Sequence, residues 1–133
     1  MEQQVRDPAL FNLAIDSKLR DCDVVAIRVD DVAPNGHAIE RANVRQRKTG
    51  RPVRFELTEQ TRQAINEYLT AARKNPGDYL FSGRRYGQSM TTRQYARLLS
   101  EWLVGIGLDP HVYGAHSLRR TKATLIYRRI GAG

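Results

Sequence analysis

His116 and Arg119 stand three positions apart in the run His116-Ser117-Leu118-Arg119-Arg120-Thr121-Lys122-Ala123-Thr124. Residues at that spacing are neighbours on a helix surface, so the two side chains project into one small volume. A guanidinium offers a planar fork for two phosphate oxygens, and an imidazole exchanges a proton near neutral pH. At a helix start, backbone N–H groups and the positive end of the helix dipole add to both. The run therefore reads as an anion site with acid/base capacity. A lone His-x-x-Arg also arises by chance, and a basic helix is often only a solvated face, so the run gains meaning from its company.

That company is specific. The run resembles the second signature box of the tyrosine recombinases, the phage-integrase family, written H-x-L-R-R/H-T-x-A-T. Two more elements resembling the family precede it in the family's order, Leu19-Arg20-Asp21-Cys22-Asp23 and Arg47-Lys48-Thr49-Gly50-Arg51. The resemblance extends from about Asp7 to Tyr127. It implies a catalytic core like that of the DNA breaking-rejoining enzymes, acting on double-stranded DNA through a 3′-phosphotyrosyl intermediate with no cofactor and no metal.

The resemblance also implies roles. Arg20 and Arg119 would neutralise the non-bridging oxygens of one phosphodiester, and His116 would donate to the phosphate or exchange a proton. Lys48 would act as general acid for the leaving 5′-oxygen, and Asp23 would support the site from behind Arg20. Arg47, Arg51, Arg84, Arg85, Arg93 and Arg120 are further candidates for contact with a DNA backbone. The family's nucleophilic tyrosine lies well beyond the second-box arginine, after another His/Trp position. Here Tyr127 is the sole tyrosine after Arg119, two turns or roughly 12 Å along the same expected helix, and it reads as structural. The expectation is a single domain over residues 1–133 without the family's N-terminal DNA-gripping domain or its tyrosine segment, unable to cleave alone. Some members of the family pass the tyrosine helix between protomers, which makes a second copy or a full-length recombinase on DNA an implied partner.

Composition agrees with a nucleic-acid partner without naming one. Lys and Arg number 22 against 14 Asp and Glu, a net charge of +8, which favours a polyanion. Apolar residues make up 41% of the chain, enough for a folded core and too many for a disordered basic tail. Cys22 is the only cysteine, which rules out an internal disulfide, fits a reducing cytoplasmic setting, and reads as a small core residue. No apolar run reaches membrane-spanning length, so no membrane partner is expected. His37 and His111 lack cysteine or carboxylate partners at metal-ligand spacing.

The elements that must position these residues follow from periodicity and punctuation. Asp7-Pro8 is a helix-start signal, and Leu10, Phe11, Ala14, Ile15 and Leu19 form a core-facing stripe that delivers Arg20 at the far end. A turn and a short helix through Val24-Val25-Ala26-Ile27 bring Asp23 close to Arg20. Three antiparallel strands are then expected: one from Ile27 to about Val32, one from Ile39 to Arg47 and one from Val53 to Leu57. Pro34-Asn35-Gly36 would join the first two as a hairpin, and Lys48-Thr49-Gly50 would turn the chain into the third. Thr58 caps a helix with Ala64, Ile65, Tyr68, Leu69 and Ala72 inward. Thr91 caps another with Tyr95, Leu98, Leu99, Trp102 and Leu103 inward, where Trp102 reads as core rather than as a base-stacking platform. The fold class is α+β, mainly helical with a small three-stranded antiparallel sheet.

Other chemistries fit less well. Lys48-Thr49-Gly50 resembles the Lys-Thr-Gly strand of penicillin-recognising enzymes, but no serine has a lysine three positions on. A phosphate-binding loop fails because Lys48-Thr49 precedes its glycine. The alternative reading is a non-catalytic DNA-binding module or an inactive integrase remnant, which the basic charge supports equally.

Overall fold

The structure, a computed structural model, describes residues 2–83 and 87–105. In chain order the elements are α1 (Glu2–Ser17), α2 (Asp21–Val25), α3 (Val29–Val32), β1 (Arg41–Arg45), β2 (Pro52–Glu56), α4 (Glu59–Ala72) and α5 (Thr92–Gly105). α1 packs along α4 and also meets β2, while α3 meets β1 and α2 meets α5. One apolar core runs through these contacts, with Leu10, Phe11, Leu13, Ile65, Tyr68, Leu80, Phe81 and Leu103 all buried.

α1 begins at Glu2, upstream of the expected start, and Pro8 lies inside it. Pro8 has no N–H for the turn before it, but Val5 packs on the core and extends the buried stripe backwards. Asp7 does not act as a cap: its Oδ1 accepts from Arg6 Nε at 3.0 Å. The two expected threonine caps are present. Thr58 Oγ1 accepts from the N–H of Thr61 at 3.3 Å, and Thr91 Oγ1 from that of Gln94 at 3.0 Å. Asp16, near the end of α1, accepts from the N–H of Thr58 at 3.0 Å, tying α1 to the start of α4. Trp102 stacks on Phe11 with ring centroids 4.5 Å apart, so it belongs to the core as expected.

Among the described residues the sheet has two strands, not the expected three. The segment expected as the first strand folds as the helical turn α3, because Asp31 is placed to cap it: its Oδ2 accepts from the N–H of Arg28 at 2.8 Å. Val29, Val32 and Ala33 are then buried on one side at helical spacing. Only an isolated bridge between Arg28 and Tyr79 remains of strand pairing there. Pro34-Asn35-Gly36 does turn the chain, with Gly36 at φ 90 and its N–H on the Ala33 carbonyl at 3.2 Å, but it leads out of a helix rather than joining two strands.

β1 and β2 are antiparallel, pairing Ala42 with Phe55 and Val44 with Val53 toward the core. The N–H of Leu57 donates to the Glu40 carbonyl, and that of Gln46 to the Arg51 carbonyl. Antiparallel ladders alternate, so the pairs Arg41/Glu56, Asn43/Arg54 and Arg45/Pro52 are the non-hydrogen-bonded ones. Pro52 therefore occupies a position where a missing N–H costs the ladder nothing.

Candidate active site

Arg20 is placed by its neighbours. α1 stops at Ser17, Lys18 turns the chain in the left-handed region at φ 55, and buried Leu19 anchors the exit. Arg20 is the extended residue ahead of α2, and its carbonyl accepts from the N–H groups of Asp23 at 3.0 Å and Val24 at 2.9 Å. Its backbone is thus pinned between buried Leu19 and buried Val24 and Val25, while its side chain stays exposed.

Lys48 lies at the tip of the β1–β2 hairpin, where a tight set of bonds shapes the turn. Gly50, at φ 71, donates its N–H to the Gln46 carbonyl at 2.8 Å. Thr49 Oγ1 donates to Gln46 Oε1 at 2.9 Å and accepts from the N–H of Arg51 at 3.2 Å. Arg47, Lys48 and Arg51 are all exposed around this turn. Among the described residues, no hydrogen bond or ion pair engages the Lys48 ammonium, so the lysine is free to reach a neighbouring ligand.

Asp23 joins the two elements. Its carboxylate is only 5% exposed, and Oδ1 accepts from the backbone N–H of Arg47 at 2.9 Å, 24 residues away. The sequence suggests that Asp23 would face Arg20. Among the described residues the ion pairs are Arg6–Asp7 and Arg41–Glu56, and none joins Arg20 to Asp23. The buried carboxylate turns inward because a buried acceptor needs a donor, and the N–H at the foot of the hairpin supplies one. Sequence reasoning missed this bond, since nothing local marks Arg47 as the partner.

Beneath α2 lies Tyr95 of α5, 2% exposed. Burial raises its hydroxyl well above the ordinary tyrosine pKa, and the Asp21 carboxylate adds to the shift. α5 also carries Arg93 and Arg97, which with Gln94 and Gln88 line an open cleft of about 760 Å³. Arg93 was legible as a candidate, and Arg97 follows from it as the next residue on the same helix face. Cys22 is half-buried rather than fully in the core. The expected Arg84, Arg85, His116, Arg119 and Arg120, together with Tyr127, lie outside the described residues. Among the described residues, no group of three or more His, Cys, Asp or Glu is arranged to hold a metal, and no helix is long and apolar enough to cross a membrane.

The chain is 30% identical over 131 residues to the probable integrase/recombinase YoeC of Bacillus subtilis, covering 97% of this chain and 67% of that protein. It is 32% identical over 127 residues to the tyrosine recombinase XerC of Caldanaerobacter subterraneus subsp. tengcongensis, but spans only 34% of its length. Among solved structures, the XerH site-specific recombinase in a pre-cleavage complex with its difH substrate matches with a TM-score of 0.71 at 18% identity, over 97% of this chain and 37% of that one. The XerA recombinase matches with a TM-score of 0.69 at 19% identity, over 96% and 48%. At such identities the structures speak for the fold, which is that of both recombinases. The family model for the phage integrase family matches residues 1–130, and the chain belongs to that family.

Proposed function

We propose that this chain is a site-specific DNA recombinase catalytic domain that grips one phosphodiester for strand cleavage and rejoining. The observation that carries the reading is the bond from Arg47 N–H to Asp23, which links the Arg20 turn to the Lys48 hairpin. Arg20 and Arg119 neutralise the two non-bridging oxygens, an effect worth about a hundred- to a thousandfold in rate for each preorganised donor. His116 donates to the same phosphate. A tyrosine oxygen attacks phosphorus, and the bond to the 5′-oxygen breaks as Lys48 delivers its proton to that oxygen. The product is a 3′-phosphotyrosyl ester and a free 5′-hydroxyl, and the reverse attack rejoins the strand. Neither a metal nor a cofactor enters these steps.

The partner is duplex DNA, a reading supported by the DNA-bound state of the structurally similar XerH. Action on cellular DNA goes with a cytoplasmic location. Arg47, Arg51, Arg84, Arg85, Arg93 and Arg120 hold the flanking backbone. The finer reading is that this chain binds DNA without cleaving it alone, and that a second recombinase on the same DNA supplies the nucleophile.

Two measurements on the purified chain test this. A nicked suicide duplex is expected to be retained and not converted into a covalent adduct on a denaturing gel. Adduct formation would sink the finer reading. Retention that survives Arg20→Ala and Arg119→Ala together would sink the phosphate-clamp reading and leave a generic basic surface.

A further inference from the structure

The solvent face of the β1–β2 hairpin carries charge that the cleavage site does not use. Arg41, Asn43 and Arg45 alternate outward along β1, and Arg54 and Glu56 along β2. All five are exposed. Being non-hydrogen-bonded pairs, Arg41/Glu56 and Asn43/Arg54 hold their side chains at the closer of the two cross-strand spacings.

The cations on this face are not equally committed. Arg41 meets Glu56 at 3.6 Å, a fully solvated contact of the kind that stabilises little. Arg45 leans toward the hairpin tip, donating from a terminal guanidinium nitrogen to the Gly50 carbonyl at 3.0 Å. Arg54 faces neutral Asn43 instead of an acid, and among the described residues no bond or ion pair occupies its guanidinium. A shallow concavity of about 560 Å³ opens at Arg41, Asn43, Arg54 and Glu56. The face thus presents three arginines against one glutamate and continues without interruption into Arg47, Lys48 and Arg51.

We infer that this sheet face, centred on Arg54 and Asn43, is a second docking surface for the backbone of a DNA duplex. At about 3.4 Å per residue the strip from Arg41 to Arg47 extends about 20 Å. A small anion would engage one of these arginines. A duplex, with a negative charge every ~1.7 Å of its axis, meets the whole strip. Arg54 supplies the planar fork for phosphate oxygens, and the Asn43 amide adds a neutral donor beside it. Seating this face fixes the hairpin's approach, and so carries the Lys48 tip toward the leaving 5′-oxygen it is to protonate. The inference rests on the DNA-cleavage reading above and adds a contact surface to it.

The salt dependence of binding by this chain to a fluorescein-labelled duplex tests the surface. Loss of one phosphate contact lowers the slope of log affinity against log salt by about 0.9. Arg54→Ala is expected to show that loss with unchanged circular dichroism, because its side chain is exposed. Glu56→Gln, which removes the acid of the face and releases Arg41, is expected to tighten binding. Arg73→Gly, at the C-terminus of α4 and off the sheet, is expected to leave the slope alone. A slope unchanged by Arg54→Ala, or lowered equally by Arg73→Gly, overturns the docking surface while DNA binding itself stands. Absence of any duplex binding by the wild-type chain overturns both readings.

Discussion

The backbone N–H of Arg47 donates to the buried carboxylate of Asp23 at 2.9 Å, so the turn that presents Arg20 and the hairpin that presents Lys48 share one anchor. A lysine at an exposed tip is otherwise a poor candidate for timed proton transfer, because its position is set only by the two strands behind it. Fixing the foot of the hairpin restricts where the tip can move relative to Arg20.

Removal of that anchor should loosen both elements. Asp23→Ala is expected to cost about 2 kcal/mol, the range for a hydrogen bond to a charged group, and Asp23→Asn less than about 1 kcal/mol because the amide oxygen remains an acceptor. Urea unfolding measures the first effect. Amide exchange at Arg47 separates a local from a global change, and exchange there as slow in Asp23→Ala as in the wild type would remove the anchoring role.

Lys48→Ala should leave stability within about 0.5 kcal/mol, since the side chain is exposed. In a mixed assembly that cleaves DNA with this chain supplying the phosphate site, the same change should slow cleavage by about a hundred- to ten-thousandfold. A substrate with sulfur in place of the leaving 5′-oxygen needs no protonation. It should therefore restore the rate, and a defect that persists with it would exclude general-acid catalysis.

Tyr95 predicts an alkaline limit. Its folded pKa lies above the ordinary 10.0, so below about pH 10 the hydroxyl is protonated in both states and contributes no pH dependence. Above that pH the unfolded chain loses the proton while the folded chain keeps it. Stability then falls by about 1.4 kcal/mol per pH unit until the folded hydroxyl also ionises. Denaturant midpoints at about pH 9 and pH 11 should diverge more for the wild type than for Tyr95→Phe. Equal divergence in the two proteins would show that the hydroxyl is not buried as described.

Gly83 is required by close approach. A Cβ added there would lie 2.6 Å from the backbone oxygen of Ser89, across the Ser82–Ser89 bridge. Gly83→Ala should destabilise by about 1–3 kcal/mol, as overpacking does, and disturb the turn that precedes α5. A thermal midpoint equal to the wild type's would contradict that crowding.

Much of the framework was legible because its signals are local. The stripe through Leu10, Phe11, Ala14 and Ile15, the caps at Thr58 and Thr91, and the inward Trp102 are each encoded within a few residues, where periodicity and side-chain-to-backbone bonds act directly. Val29 to Val32 was not legible in the same way. Its apolar residues suit either a strand or a helical turn, and the Asp31 bond to Arg28 tips the choice.

By itself the sequence determined the family boxes, the basic balance and the helices and hairpin on either side of the Val29–Val32 segment, because these are properties of residue type and spacing along the chain. Tertiary structure alone decided that Asp23 serves the Arg47 N–H rather than the Arg20 guanidinium, and that Arg54 faces Asn43 instead of an acid. Both outcomes depend on strand register and on which polar groups lose water together. Such pairings join residues far apart in the chain, and no local pattern carries them.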